Sequence, residues 1–490
     1  MQVSTKTTLY QRLAEHYLQA IQAGALRPGD RFPSVRQLMR LHTVSLSTAL
    51  QVCRSLEAQG WLEASERAGY FVRRPRAPAP VSEPVVLPSE AQFVGIHAHV
   101  SNIIARGQQQ PVKLNLALAV GTPEMYPSAA LSRLAQRVLR TQPELLTTMA
   151  RRHGHPALRQ ALAYRALARG MRVAPEDVVV THGCTEALNL ALRAVTRPGD
   201  TVVVESPTFY GFLQLLEALG LRALELPTHA QTGLSLEALA FALEQDAQSP
   251  QPRIKAILAM PTLHNPLGCT MPDVRKAELV RLCREHDVAL IEDDIYHGMA
   301  ESPRPIKPAK AWDTTGHVIY CDSLNKILAP GLRLGWMLAG RWHARVEMLK
   351  YTQSRYSSEL QQLLVAEFLA GAAFDRHVRR LRQTVVQQRA HMVGILADSF
   401  PHGTRWSSPD GGLLLWVQLP PTVDSDALFE RALAQGIKIA PGSMFSNSPR
   451  FGHFIRLSCA APQGPAMEAG LRELGRLVHE LAAEGMARAA

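Results

Sequence analysis

Charged side chains lie within or directly after three apolar segments of the sequence. Asp293 follows Leu290 and Ile291, Lys326 follows the run 318–321, and Arg456 lies inside the run 454–458. An unpaired charge is costly to bury, so each needs a partner of opposite charge or a ligand. A buried arginine implies an anion that accepts its planar fork, and a lysine in such a place can form an imine.

Three further segments carry small, aromatic or polar residues where an apolar strand ends. Gly183, Cys184 and Thr185 begin a predicted helix, whose first amide groups and positive dipole end suit a phosphate. Phe209 follows the next strand, where its ring could cover a planar ring, and Asn265 offers an amide in a rigid Asn-Pro turn. Considered singly, each segment is better explained as a helix start, a core aromatic or an ordinary turn.

The order of the six segments favours a binding site over six unrelated structural features. An open parallel sheet binds its ligand at the carboxyl ends of its strands, and each segment follows a successive predicted strand. Together they supply a phosphate cradle, a stacking ring, donors for a phenolate, a partner for a pyridinium, an imine-forming lysine and a carboxylate clamp. These are the parts that pyridoxal 5'-phosphate (PLP) requires.

Residues from about 112 to 480 resemble the fold-type-I aminotransferases, whose motifs match these segments position by position. The resemblance implies that Lys326 forms a Schiff base with PLP and that Asp293 keeps the pyridine nitrogen protonated. With Tyr296, these two residues are the catalytic candidates.

The same resemblance assigns the other cofactor contacts. Asn265 and Tyr296 would bond the phenolic oxygen of the ring, while Phe209 would stack on it. Arg456 would bind the α-carboxylate of an amino-acid substrate or effector. The phosphate would be held by five residues: Gly183, Cys184, Thr185, Ser323 and Arg333.

Three positions depart from the aminotransferase pattern. Met149 stands where the family usually has a tyrosine that reaches the phosphate of the partner subunit, and a thioether cannot replace that hydrogen bond. Asn325 precedes the lysine where serine or threonine is more usual, and Cys184 stands where serine is common. Neither Asn325 nor Cys184 prevents formation of a Schiff base.

The elements that would hold these residues alternate between short apolar strands and longer amphipathic helices. Such alternation indicates an α/β fold with a mostly parallel sheet. Helices dominate from about residue 340, and strands return near 413–419 and 454–458, which predicts a smaller C-terminal α+β lobe. The six strands predicted for the sheet are residues 178–181, 202–205, 256–260, 288–292, 318–321 and 336–339.

Positive charge is concentrated near the N-terminus. The chain has 490 residues, and its 53 Lys and Arg exceed its 42 Asp and Glu by 11. Residues 1–80 hold 11 basic and 5 acidic side chains, so more than half of the excess lies in about a sixth of the chain. A small basic region on a nearly neutral body is typical of an attached nucleic-acid-binding domain, although a solvated basic surface would look the same.

The basic region reads as three short helices followed by two strands. A helical pattern over 9–23 ends at Gly24, and Ser34 and Ser45 are placed as N-caps of two further helices. In the third helix, an apolar face is predicted from Leu46, Ala49, Leu50, Cys53 and Leu56. Strands at 61–64 and 70–73 flank a turn at 67–69, which completes the order of a winged helix-turn-helix. A small helical bundle used only for dimerisation is the alternative.

Nearly all of 9–73 resembles the GntR-type winged-helix domain. The pattern G-x-L-x-P-G-x-x-L-P-S-x-R-x-L of that family matches residues 24–38 without gaps. Leu46 departs from it, because the family usually places arginine after the serine at 45. The resemblance implies six DNA-facing residues: Arg36, Ser45, Ser47, Thr48, Arg67 and Gly69.

A proline-rich segment at 73–88 separates the two parts, because proline lacks the backbone donor that helices and sheets need. The predicted domains are a winged helix-turn-helix at 1–73, a linker and connecting segment at 74–111, and an aminotransferase-like domain at 112–490.

Six scattered cysteines form no C-x-x-C pair, which argues against a disulfide framework and a structural zinc site. With no signal peptide and no membrane-spanning run in the sequence, we expect a cytoplasmic protein without a membrane or metal partner.

A GntR-like domain joined to an aminotransferase-like body is similar to the MocR-type regulators. The resemblance implies a homodimer that binds double-stranded promoter DNA and whose binding is modulated by PLP, an amino compound, or both. Two alternatives remain at this stage: a working PLP-dependent aminotransferase with an accessory winged helix, and a DNA-tethered scaffold that binds no cofactor.

Overall fold

The structure is a computed structural model, and it describes residues 9–22, 25–26, 29–58, 61–65, 69–72, 90–302 and 304–489. These residues form two compact units. The first is made of two segments, the described residues of Met1–Pro78 and Gln387–Ser399, and the second comprises the remaining described residues. The predicted proline-rich linker at 73–88, Gly24 and Arg67 fall outside the described residues.

Three helices and a small sheet form the N-terminal unit: α1 (Leu9–Gln22), α2 (Val35–His42), α3 (Leu46–Ala58), β1 (Leu62–Ser65) and β2 (Gly69–Val72). The two strands pair in antiparallel register, from Leu62 with Val72 to Ser65 with Gly69. Phe32, Leu38 and Leu56 are buried at the centre of this unit. The helix and strand order predicted from the sequence is present.

Both serine caps predicted from the sequence are formed. The Ser34 hydroxyl accepts a hydrogen bond from the Gln37 amide, and the Ser34 amide donates to Gln37 Oε1, which makes a capping box at the start of α2. The Ser45 hydroxyl accepts from the Thr48 amide at the start of α3. These bonds satisfy donors that a helix start leaves free.

The buried face of α3 differs from the predicted one. Ala49, Val52, Cys53 and Leu56 are buried, whereas Leu46 is 54% exposed. The sequence pattern placed Leu46 inward because it continues the apolar spacing, but it is the first residue of the helix and lies beyond the edge of the core. The prediction for Leu46 was therefore wrong.

The wing has a contribution that sequence reasoning missed. Asp30 and Phe32 exchange backbone hydrogen bonds with Val72 and Tyr70, so residues 30–32 pair with β2. Gly69 has a φ of +97° at the start of β2, a conformation that other residues rarely adopt.

A mixed, mostly parallel sheet is the centre of the second unit. Its main strands run in the order β3-β7-β6-β9-β10-β11-β12-β5, and β8 pairs with β7. Five neighbours, β7, β6, β9, β10 and β11, are parallel, while β12 runs antiparallel to both β11 and β5. The strands are β3 (Gln92–Phe93), β5 (Val178–Thr181), β6 (Thr201–Ser206), β7 (Arg222–His229), β8 (Gly233–Leu234), β9 (Ile254–Ala259), β10 (Ala289–Asp293), β11 (Val318–Ser323) and β12 (Gly335–Leu338).

Apolar side chains explain why these strands are central. Val202, Val203 and Val204 of β6 are fully buried, as are Leu290 and Ile291 of β10. Continuous apolar runs of this kind are typical of strands covered on both faces. The covering and peripheral helices are α4 (His97–Gln109), α5 (Ser128–Thr141), α6 (Pro156–Leu167), α7 (Cys184–Val195), α8 (Tyr210–Ala218), α9 (Leu236–Ala247), α10 (Asp273–Glu285), α11 (His343–Gln353) and α12 (Glu359–Ala370).

The C-terminal part contains the predicted α+β lobe. Four strands form an antiparallel sheet in the order β13-β14-β17-β16, and β15 pairs in parallel with β4. The elements are β4 (Leu114–Asn115), α13 (Ala372–Ser399), β13 (Arg405–Trp406), β14 (Leu414–Gln418), α14 (Ser425–Ala434), β15 (Ile437–Lys438), β16 (Ala440–Pro441), β17 (Phe454–Ser458) and α15 (Pro465–Ala489).

Two further observations concern the predictions made from the sequence. The helix α4 lies inside the segment 74–111, for which no element was predicted. In the part of the chain that the structure describes, no helix is long and apolar enough to cross a membrane.

Candidate functional site

The candidate site lies where β10, β11 and the start of α7 meet. Asp293 is the last residue of β10, and Ser323 is the last residue of β11. Gly183 precedes α7, with a φ of +78° and no side-chain cap on the helix start. The first amide groups of α7 are therefore left for a ligand, in the arrangement that binds phosphates.

Lys326 lies in the loop after β11, in a buried environment. Its Nζ is 5.7 Å from the centre of the Tyr296 ring, and the Tyr126 hydroxyl donates to its backbone oxygen over 3.3 Å. Burial, and next the positive charge of Arg456, lower the pKa of Lys326 to about 8, against an opposing effect of Asp293. At neutral pH the neutral form of this amine is therefore far more populated than in an ordinary lysine, which suits Lys326 to nucleophilic chemistry.

Asp293 is buried and lies beside Cys184. Its Oδ1 accepts from the Ile295 amide over 3.2 Å and lies 3.7 Å from the Cys184 sulfur. Burial raises the pKa of Asp293 to about 7, and the neighbouring Asp294 acts in the same direction. A cationic ring nitrogen beside Asp293 would reverse this effect, because an opposite charge stabilises the carboxylate.

The Cys184 side chain points at Asp293. Sequence reasoning placed Cys184 in the phosphate cradle with no distinction between its thiol and its backbone. The thiol contact with Asp293 leaves only the Cys184 amide, at the start of α7, for an anion.

Arg333 and Asn325 approach the same helix start. A Cβ atom built on Gly183 would lie 3.2 Å from Arg333 Nη2 and 3.1 Å from Asn325 Nδ2. A Cβ on Gly335 would come within 2.6 Å of the Gly183 backbone, so both glycines keep this cradle open. The Ser323 hydroxyl is buried and has no hydrogen-bond partner in the described residues. An anion at the start of α7 would accept hydrogen bonds from this group of donors.

Arg456 is almost fully buried on β17. Its Nη1 donates to Asn265 Oδ1 over 3.0 Å, and its Nη2 donates to the Ala117 oxygen over 2.5 Å. Its Nε is buried without a partner among the described residues. No carboxylate of those residues pairs with Arg456, so the guanidinium is prepared to receive an anionic ligand.

Two aromatic rings line the path to Arg456. The centres of Phe445 and Tyr210 lie 5.1 and 5.9 Å from its guanidinium carbon. Phe209, the residue before α8, contacts Tyr210 and Phe212 through ring centres 4.8 and 5.6 Å away. A Cβ on Gly211 would lie 2.5 Å from the Phe209 ring, so this glycine makes room for it.

Asn265 contacts Arg456, and Tyr296 lies beside Lys326. Asn265 precedes a cis proline and holds Arg456 through its oxygen. Tyr296 is buried, and burial raises the pKa of its hydroxyl, so it stays a neutral hydrogen-bond donor.

The N-terminal unit presents a second set of polar side chains. Ser45 and Ser47 are exposed, and the Ser45 hydroxyl lies 2.9 Å from both the Ser47 and the Thr48 hydroxyls. Arg36 is exposed on α2, and its guanidinium has no ion-pair partner in the described part of the chain. Arg31 was missed from the sequence, yet its guanidinium lies 3.9 Å from where a Cβ on Gly69 would be.

Most residues singled out from the sequence are thus brought together, and the structure adds others. Contacts or electrostatic effects link Lys326 to Asp293, Arg333, Tyr296 and Arg456. Met149 is 78% exposed on the surface of the single chain. Tyr126, Tyr210, Gly211 and Gly335 were not assigned roles. Tyr126, Tyr210 and Gly335 owe their places to partners far along the sequence, namely Lys326, Arg456 and Gly183, whereas Gly211 makes room for the nearby Phe209 ring.

Comparisons with known proteins agree with both parts of the chain. The family model "Aminotransferase class I and II" matches residues 116–474, and "Bacterial regulatory proteins, gntR family" matches residues 9–72. The HTH-type transcriptional regulator YdcR of Escherichia coli K12 is 35% identical, with 96% of this chain and 99% of YdcR covered.

Two further proteins connect the chain to a regulator and to a ligand-bound enzyme. The probable rhizopine catabolism regulatory protein MocR of Rhizobium meliloti is 26% identical, with 95% and 93% of the two chains covered. The crystal structure of Pyrococcus horikoshii kynurenine aminotransferase in complex with PMP matches with a TM-score of 0.72 and 27% identity. That match covers 78% of this chain and 94% of the enzyme.

Proposed function

Because this chain belongs to the MocR-type transcription regulators, we propose that its aminotransferase-like domain senses PLP or an amino compound and modulates the chain's binding to DNA. The observation that carries the proposal is a complete set of ligand-facing groups, Lys326, Asp293, Arg333 and Arg456, in a chain that also has a winged helix. A sensor of amino compounds needs this set of ligand-facing groups, and a transcription regulator needs the winged helix.

The residues of the second unit fit PLP. Lys326 would hold the cofactor as a Schiff base, and Asp293 would bind its pyridine nitrogen. When bound, PLP supplies an electron sink and a carbonyl that exchanges between amines. The unpartnered Ser323 hydroxyl, the open start of α7 and Arg333 support a phosphate site there, with Gly183 and Thr185 completing it.

The remaining roles concern the ring and the amino ligand. Tyr296 and Asn265 would bond the phenolic oxygen, and Phe209 would stack on the ring. Arg456 would bind the carboxylate of an amino acid, which is supported by its buried, unpartnered Nε. The PMP complex of the kynurenine aminotransferase supports PLP as the cofactor class.

The first unit would bind double-stranded promoter DNA through the start of α3 and the wing. Ser45, Ser47 and Thr48 present hydroxyls, and Arg36 presents an unpaired cation. Hydroxyls and guanidinium groups suit phosphates and base edges. Arg67 and Gly69 would contact the backbone of DNA from the wing, with Arg31 beside them.

A homodimer is part of the proposal. Leu146, Met149 and Tyr164 are large side chains exposed on the single chain, so a partner subunit would have apolar surface to cover there. A two-fold dimer would place two winged helices on two half-sites. Action on promoter DNA also implies a cytoplasmic protein.

A selection of random DNA with full-length protein tests the proposal, with and without PLP and a panel of amino acids. We expect one enriched sequence whose affinity changes with PLP or one amino acid. The Lys326→Ala variant should keep the enriched sequence and lose the ligand response. The Arg36→Gln variant should lose enrichment and keep the visible absorption of bound PLP. Failure to enrich any sequence, or an unchanged ligand response in Lys326→Ala, would contradict the proposal.

A second candidate function is that of a working aminotransferase. The catalytic candidates are all present in one place, with Asp293 and Tyr296 buried and Lys326 half-buried between them and solvent, which favours it. Multiple turnovers with an amino donor and a 2-oxo acid, lost in Lys326→Ala, would establish this activity. A single stoichiometric exchange without turnover would support the sensor alone.

A further inference from the structure

A second cavity lies within the aminotransferase-like unit, on the face of the sheet opposite to Lys326. Its volume is about 410 Å³, within the range of small-molecule sites. Tyr320 and Asp322 of β11 line it, and they alternate with Cys321 and Ser323, whose side chains point to the other face. The cavity is therefore separated from the proposed PLP site by the sheet itself.

The floor of this cavity is a buried polar network. Arg169 donates to Asp294 and, over 2.8 Å, to the Tyr320 hydroxyl, which lies 3.0 Å from Asp294 and 2.9 Å from Asp322. One hydroxyl proton cannot serve both carboxylates. Burial raises the pKa of Asp322 well above its usual range, whereas Arg169 lowers that of Asp294. The floor thus pairs the Arg169 cation with Asp294, while burial favours the uncharged form of Asp322. His297 also lines the cavity, 3.6 Å from Asp322, and burial lowers its pKa to about 4.

The walls are mainly apolar. Leu162 and Ala166 come from α6, Phe374 and Val378 from α13, and Trp336 from β12. All five side chains are buried or nearly so. An apolar or aromatic body would remove this surface from water, which is the main source of affinity in such sites.

The rim carries arginines with no acidic partner. Arg304 and Arg379 are exposed, and neither guanidinium has an ion-pair partner in the described residues. Arg382 donates through Nε to the Gly298 oxygen, and burial together with the charge of Arg379 lowers its pKa. By contrast, Arg165 is paired with Asp375. Asp375 also lines the cavity, one turn before Arg379, but it is paired with Arg165, so the other three guanidinium groups leave a net positive charge at the rim.

We propose that this cavity binds a small organic anion, whose apolar or aromatic body occupies the walls and whose carboxylate or sulfonate faces Arg304, Arg379 and Arg382. The apolar walls favour a ligand with an apolar or aromatic body, and the guanidinium groups without ion-pair partners favour a negatively charged group on it. The site does not depend on the proposed sensing of PLP, since it shares no side chain with that site.

The cavity also contacts the loop that carries Lys326. Leu324 and Ile327 line its wall, and the backbone oxygen of Ile327 accepts a 2.7 Å hydrogen bond from His377. An occupant would pack against this loop from behind. We therefore expect its binding to change the affinity of the protein for PLP.

The test uses full-length protein saturated with PLP and titrated with the fluorescent anion 8-anilino-1-naphthalenesulfonate. We expect saturable binding, displaced by 4-phenylbutyrate and at least about tenfold less effectively by its uncharged amide, because the charge supplies charge-assisted hydrogen bonds. Arg379→Gln and Arg304→Gln should each weaken binding about three- to tenfold, as expected for partly exposed charge contacts. Ala166→Phe should fill the cavity and abolish binding.

Arg376→Gln is the matched control. Arg376 is exposed on the same helix, α13, and does not line the cavity. Its substitution removes the same charge and should leave binding unchanged, while the Tm of every variant reports on folding. Equal weakening by Arg376→Gln and Arg379→Gln, or equal displacement by the acid and its amide, would overturn the proposal. So would full binding to a folded Ala166→Phe variant.

Discussion

Burial moves the pKa values of Lys326 and Asp293 toward each other, to about 8 and about 7. Each side chain therefore changes its charge close to physiological pH in the unliganded site, whereas in water both would be fully charged there. Lys326 needs its neutral amine to attack a carbonyl, so its protonation state should control how quickly PLP is captured.

The rate of PLP capture by the cofactor-free protein should rise with pH, with a midpoint near 8. Arg456 lowers the pKa of Lys326, so Arg456→Gln should move the midpoint to higher pH. The visible absorption of the lysine-bound cofactor, followed in stopped flow without any amino acid, measures this rate. An identical midpoint in both proteins would mean that Arg456 does not act on the amine.

Asp293→Asn should stabilise the cofactor-free protein at high pH. Between about pH 4 and about pH 7, folded Asp293 holds a proton that the unfolded chain lacks, so stability falls as pH rises. The substitution removes this cost, which is of the order of 2–4 kcal/mol above pH 7.

Thermal unfolding of cofactor-free protein at pH 5.5 and 8.5 checks the Asp293 prediction. The stability gain of the variant over the wild type should be about 2 kcal/mol larger at pH 8.5 than at pH 5.5, and the variant should lose PLP affinity at both pH values. Glu292, whose pKa burial also raises to about 7, is present in both proteins, so its contribution cancels. An equal difference at the two pH values would rule out titration of Asp293 as the cause.

Leu46→Arg should change which DNA sequences the protein selects. Leu46 is exposed between two serines at the start of α3, where an apolar group suits the methyl of thymine. Arginine there should favour guanine and steepen the salt dependence of binding by about one unit. Selected sequences from the two proteins provide the comparison, and an unchanged preference would place Leu46 outside the DNA contact.

The helix α2 depends on the Ser34–Gln37 capping box. Ser34→Ala should destabilise this helix by about 1 kcal/mol, because the Gln37 amide loses its acceptor. Hydrogen exchange of the α2 amides should increase several-fold while exchange in β10 is unchanged. Equal acceleration in both elements would instead indicate a global effect.

Sequence patterns located most elements because burial leaves a strong local signal. β5 and β17 were predicted to the residue, since their apolar runs end where burial ends. β7 was not predicted, because Glu225 interrupts it. That carboxylate is buried and satisfied by Ser206, Ser446 and the Asn447 amide, partners that a local pattern cannot reveal.

The same limit applies to the candidate site. Family motifs pointed to Lys326, Asp293 and Arg456, but the hydrogen bond from Tyr126 to Lys326 spans 200 residues of sequence. Leu46 shows the opposite error, because a regular apolar spacing extended past the edge of the core. Site residues that belong to local motifs could thus be predicted from the sequence, whereas residues that contact them from distant segments could not.

At the scale of the whole molecule, coupling between ligand and DNA must be reciprocal. If an amino compound changes the affinity for the operator by some factor, operator DNA must change the affinity for that compound by the same factor. Calorimetric titration of the compound with and without operator DNA should therefore reproduce the ratio found in DNA-binding assays. Lys326→Ala should reduce both ratios to one, and unequal ratios in the wild type would indicate an additional linked equilibrium.

Neighbouring residues at the carboxyl ends of β10 and β11 face opposite sides of one sheet, with Asp294 directly after β10. Asp293 faces the proposed PLP site and Asp294 belongs to the network beneath the second cavity, as Ser323 and Asp322 do on the next strand. A deletion or insertion of one residue in either strand would exchange these faces and disable both sites at once. Length changes in these strands should therefore be excluded during evolution, while the two pockets can diverge only through substitutions.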